Sequence, residues 1–120
     1  MAEQITLSEC NNYVDVKSVG SSQKHDLIGT IMSIKFISEK YNIYKVFVDS
    51  QERHDVPSKE DQLLIAKYLA DETKGKISFA ILTSIDPKDL AFFEAAVSLH
   101  GGKVAYFNSK KSAINWLEQR

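Results

Sequence analysis

Cysteine is almost absent from this chain of 120 residues: Cys10 is the only one. A single thiol cannot form an internal disulfide, so the fold must be held by its core, and a reducing, cytoplasmic compartment is expected. Only two prolines and five glycines occur. They mark turns but form no flexible linker, so residues 1–120 are expected to be one domain. No internal repeat or low-complexity tract is found. No apolar run approaches the ~20 residues needed to span a bilayer. The first residues, Met1-Ala2-Glu3-Gln4-Ile5, lack the basic and apolar regions of a secretory signal. Excess charge is missing too: 15 Lys and Arg against 16 Asp and Glu leave a formal charge of −1. That balance argues against nucleic-acid binding, which needs a basic stripe, and against a polybasic membrane anchor.

What remains is ordinary globular composition, 43% apolar and 26% charged. A chain of this length can bury roughly two-thirds of its unfolded surface, so it needs neither metal nor disulfide to fold. Residues 4–8 and 13–19 read as two strands, with Tyr13, Val14, Val16 and Val19 supplying β-branched and aromatic side chains. Asn11 and Asn12 suit the turn between them. Leu27, Ile28, Ile31, Ile34 and Ile37 recur at helical spacing within residues 24–41. Residues 44–49 centre on Val46-Phe47-Val48, apolar without alternation, as in a strand covered on both faces.

Ser58 is placed to cap a second helix, whose expected inward face is Leu63, Ile65, Ala66, Leu69 and Ala70. Residues 77–83 form the most apolar strand. Asp86 and Pro87 then open a third helix, in which Leu90, Phe93, Ala96 and Val97 cover one face, with Phe92 and Leu99 flanking it. Gly101-Gly102 ends that helix. A short strand over 104–107 and a last helix capped by Ser109 close the chain. The order β-β-α-β-α-β-α-β-α predicts an α/β fold: a five-stranded mixed sheet, mostly parallel, with four helices packed against it.

The buried strand at 77–83, Phe92-Phe93-Glu94 on a helix, Gly101-Gly102, Phe107-Asn108 and the closing Ala113-Ile114-Asn115-Trp116-Leu117 resemble the bacterial SpoIIAA-like proteins. That group is related to the STAS domains and is described as STAS/SEC14-like. The middle of the chain fits as well, with a strand ending at Asp49 and Pro57-Ser58 opening a helix. The resemblance implies a non-catalytic regulatory module that binds a protein partner or a ligand, some relatives being linked to lipid-like molecules. It also implies a switch by phosphorylation of a serine at the start of the helix after the third strand, here Ser58. Typical antagonists carry an Asp-Ser-Ser-Gly-like sequence there. This chain has Asp55-Val56-Pro57-Ser58-Lys59, with one serine and no glycine.

In open α/β sheets, ligands gather beyond the carboxyl ends of parallel strands. Pooling the residues that follow those strands gives a polar edge: Asp49, Ser50, Arg53 and His54, then Thr83 and Ser84, then Asn108, Ser109, Lys110 and Lys111. Lys110 and Lys111 fall in the first turn of a helix, where a positive charge is unfavourable and a bound anion would offset the cost. The alternative is two solvated lysines. His54 lies among Asp49, Glu52, Arg53 and Asp55, yet no motif supplies a nucleophile: there is no G-x-S-x-G, Walker-type or H-E-x-x-H pattern. His25, His54, His100 and Cys10 have no metal-ligand spacing, so neither metal nor cofactor is expected. Phe92 is the first candidate for an apolar interface residue, and a homodimer is one form such an interface takes. Three readings stay open: a STAS-like binding module, a carrier of a small apolar or lipid-like molecule, and a small enzyme using the polar edge. A cavity between helices and sheet would favour the carrier.

Overall fold

A computed structural model of the protein describes residues 4–7, 12–18, 24–52 and 56–120. Its elements are β1 (Gln4–Leu7), β2 (Val14–Lys17), α1 (Lys24–Tyr41), β3 (Lys45–Asp49), α2 (Lys59–Thr73), β4 (Ser78–Leu82), α3 (Pro87–Leu99), β5 (Lys103–Phe107) and α4 (Lys110–Glu118). The strands lie in the order β1-β2-β3-β4-β5. β1 is antiparallel to β2, and every later pairing is parallel. This is the mixed five-stranded α/β sheet with four helices that the alternation of elements predicts.

The chain steps across the sheet in one direction from β2 to β5. Right-handed crossovers then place α1, α2 and α3 on one face. α2 packs between α1 and α3, while α4 packs on β3, β4 and β5. Strand alternation feeds both layers. Val14, Val46, Phe79 and Val104 form one cross-strand row, and Val16, Val48, Ile81 and Tyr106 form the next. Both rows belong to the larger core with Ile31, Ile34, Ile65, Leu69 and Val97. The alternate positions Phe47, Ala80, Leu82 and Phe107 pack with Ala113, Ile114, Trp116 and Leu117 in a smaller core. That division explains the unbroken Val46-Phe47-Val48: the strand is covered from both sides.

The helix ends are set by local chemistry. The Ser58, Asp86 and Ser109 side chains accept hydrogen bonds from the backbone N–H groups of Asp61, Lys88 and Ser112, capping α2, α3 and α4. α3 closes through Gly101, at φ +89°, with the Gly102 N–H donating to the Val97 carbonyl. Gly102 is also a packing position, because a Cβ there would meet Val97 Cγ1 at 2.6 Å. α1 and α2 are tied by Lys35 Nζ and Glu72 Oε1, 3.1 Å apart and partly exposed. The Glu72 hydrogen bond, then its charge, hold the Lys35 pKa above the ordinary lysine value. A raised lysine pKa favours the fold below the ordinary value, and the contribution fades as pH rises through the raised one.

One reading of the helices changes. Leu63 was expected on the inward face of α2 but is 46% exposed. The buried set is Gln62, Ile65, Ala66, Leu69, Ala70 and Thr73, so glutamine takes the inward place at the start of that stripe. His100 is exposed and closes α3 through its backbone N–H, which donates to the Ala96 and Val97 carbonyls. The turn at Cys10 lies outside the described residues.

Candidate functional site: an apolar cavity between helices and sheet

The row Val16, Val48, Ile81 and Tyr106 is the floor of a cavity of about 170 Å³. Its walls come from the three helices that share this face. α1 gives Leu27, Thr30, Ile31 and Ile34; α2 gives Gln62, Ile65 and Leu69; α3 gives Leu90 and Phe93. Phe79 extends the floor, and Val56, Pro57 and Ile85 complete the rim. Val56 is exposed and stands where the wall meets solvent. None of the described lining residues carries a charge.

The cavity reaches the carboxyl ends of the parallel strands. Ser18, Ser50 and Thr83 follow β2, β3 and β4, and all three line it. The rim hydroxyls are engaged in the protein's own structure. Ser50 Oγ donates to the Leu82 carbonyl at 2.9 Å, and Thr83 Oγ1 accepts from the Ile85 N–H at 3.1 Å. Backbone bonds extend the ladder through the same residues, from Ser18 N–H to Asp49, Ser50 N–H to Leu82 and Thr83 N–H to Phe107.

Gln62 is the polar exception in the α2 wall. It is 5% exposed, and its Nε2 donates to the Pro57 carbonyl at 2.8 Å. That bond fixes which end of the amide is nitrogen. Its Oε1 is buried without a hydrogen-bond partner.

The strand-end residues pooled from the sequence separate into different places. Ser50 and Thr83 line the cavity, whereas Asp49 falls in the cross-strand row with Lys17, Leu82 and Phe107, on the α4 side. Asp49 Oδ1 accepts from the Gln51 N–H at 3.2 Å. Ser84 is exposed, and its Oγ donates to the Gln51 carbonyl. Asn108, Ser109, Lys110 and Lys111 are exposed at the start of α4, on the far side of the sheet from the cavity. Ser109 is committed to its cap, and the Lys110 ammonium lies 5.5 Å from the centre of the Phe47 ring. A cation over an aromatic face is itself a favourable contact, which gives Lys110 a structural reason to be there.

Ser58 is exposed, at the start of α2. Phe92 is half-buried, with the Lys59 ammonium 5.4 Å from its ring centre. Arg53 and His54 lie outside the described residues. Among the described residues no group of three His, Cys, Asp or Glu side chains could hold a metal ion, and no helix is long and apolar enough to cross a membrane.

No protein-family model matches this sequence, and no protein of curated function matches it. The cavity is therefore the feature from which a function can be argued. Gln62 was missed in the sequence because only apolar residues were counted towards the α2 face. The spacing 62, 65, 66, 69, 70, 73 is a helical stripe once the glutamine is admitted.

Proposed function

We propose that the chain is a non-catalytic, STAS-like ligand-binding module, of SpoIIAA-like kinship, whose cavity takes a small apolar molecule. The observation that carries this is the uncharged cavity of about 170 Å³ lined by α1, α2, α3 and the sheet and open at the rim by Val56 and Ile85. Protein interiors are normally close-packed, with few voids larger than a water molecule. An engineered apolar cavity of ~150 Å³ in another protein stays dry and binds benzene. The apolar walls of such a space forgo part of the packing that a filled core would have. A ligand of matching shape recovers part of it, which gives the binding energy a source. The mixed sheet order and its single-face crossovers support the STAS-like kinship.

Toluene is a suitable probe. Seven buried carbons at ~0.8 kcal/mol each predict a Kd on the order of 0.1 mM by calorimetry. Ile81 sits mid-floor, and Ile81→Trp fills the space with indole. The variant is expected to lose toluene affinity at least tenfold while keeping or raising its Tm. Undiminished toluene binding by a folded Ile81→Trp protein would remove the cavity as the site.

A second reading, a protein-contact face, has its own observation. Met32 and Phe36 stand one turn apart on α1, 56% and 66% exposed. Leu64 on the neighbouring α2 is 52% exposed. If this face joins two copies of the chain, sedimentation shows a dimer that Phe36→Glu converts to monomer. A monomer at all concentrations up to about 0.5 mM, near the weak end of specific self-association, excludes the homodimer.

A further inference from the structure

The cavity changes character along the strands. Its floor runs from Phe79 through Ile81 to Thr83, and Ser18 and Ser50 stand level with Thr83 on the neighbouring strands. Exposure changes in the same direction. In the row Val14, Val46, Phe79 and Val104 no side chain is more than 6% exposed. In the next row towards the carboxyl ends, Val48, Ile81 and Tyr106 are half-buried, although helices cover this face. Crossover helices run back against the strands they follow. Ile34 and Leu69, 3% and 5% exposed, therefore lie deeper than Leu27 and Gln62 on the same helices. One end of the cavity is closed and lined by hydrocarbon. The other is the mouth, where Val56, Pro57 and Ile85 meet water.

Resting on the cavity reading above, we infer that the occupant is a single-chain amphiphile bound tail-first, its hydrocarbon end against Phe79, Ile34 and Leu69 and its polar head in water at the mouth. A strongly polar or ionised group at the closed end would lose its hydration and find no charged partner among the described lining residues. At the mouth it keeps its water. Just beyond the rim, α2 and α3 open with charges of both signs, Lys59 and Lys88 against Glu60 and Asp86. The sign of the head's charge is therefore not selected. A space of about 170 Å³ holds one short chain or ring, by comparison with ~150 Å³ for benzene, and leaves no room for a second chain. Diacyl lipids fall outside the class. Affinity comes from the tail, and orientation comes from the difference between the two ends.

The test compares octanoate, octanol and octanedioate with toluene on the intact chain at neutral pH by calorimetry. Octanoate and octanol are expected to bind within about tenfold of each other, since neither head leaves water. Octanedioate is expected to bind at least tenfold more weakly than octanoate, because one of its carboxylates must enter the closed end. Methyl NMR reads the orientation: the terminal methyl of octanoate is expected to show nuclear Overhauser contacts to Ile34 and Leu69, and its C2 methylene to Val56 and Ile85. Octanedioate binding within tenfold of octanoate, a gap beyond tenfold in either direction between octanoate and octanol, or the reverse pattern of contacts overturns the tail-first amphiphile. Toluene binding without octanoate or octanol binding also overturns it, and leaves the apolar cavity standing. Binding of none of the four overturns both.

Discussion

Phe47→Ala is expected to lower stability by about 3–5 kcal/mol, read as a shift of the urea midpoint at unchanged slope. Phe47 is 2% exposed and anchors the smaller core between the sheet and α4. Its ring meets Tyr13 edge-on at 6.1 Å, and Lys110 lies over it. Removing the ring leaves α4 without its principal contact on β3, and Leu117 and Ala113 cannot collapse far enough to fill the space. The consequence for binding is the opposite of the consequence for stability. The cavity is on the other face of the sheet, so toluene affinity in the folded variant is expected to stay within about twofold of wild type, as for well-separated sites. A small stability loss would mean that α4 is not packed on Phe47. A large loss of toluene affinity would mean that the two faces are not independent.

Phe79→Ala is the partner experiment on the cavity side. Phe79 is also 2% exposed, and the same cost of about 3–5 kcal/mol applies. Here the vacated space adjoins the existing cavity, since Phe79 is part of its floor. The variant is therefore expected to prefer a longer ligand: propylbenzene gains on toluene by on the order of tenfold, two methylenes at ~0.8 kcal/mol each. Calorimetry with both hydrocarbons on wild type and variant reads this ratio. An unchanged ratio would show that the Phe79 side chain does not border the bound molecule. The pair separates residues that hold the sheet together from residues that also shape the site.

The fold was legible where periodicity was strong. The Leu27–Ile37 repeat located α1 at residues 24–41, and the caps at Ser58, Asp86 and Ser109 are all in place. β2, β3 and β4 are shorter than their apolar runs suggest, whereas β5 begins one residue earlier, at Lys103. Ile77 and Thr83 are buried, yet they flank β4 rather than belong to it, because burial continues past the last ladder position. The site was legible only in part. The rule that ligands gather at strand carboxyl ends led to Ser50 and Thr83, which do line the cavity. It also gathered Asp49 and Lys110, because adjacent strand residues point to opposite faces and the final helix crosses to the other side. Pooling by sequence position cannot separate the two faces. The cavity itself has no signature in sequence, since it is the volume that Ile31, Ile65, Ile81 and Phe93 fail to fill rather than a pattern they form.

Methyl NMR with saturating toluene tests the central claim most directly. The account predicts nuclear Overhauser contacts from the toluene ring to the methyl groups of Ile31, Ile65 and Ile81, and none to those of Ile114 and Leu117 on α4. The absence of contacts at any toluene concentration up to its solubility, or contacts to Ile114 and Leu117 instead, would contradict a ligand site between the three helices and the sheet.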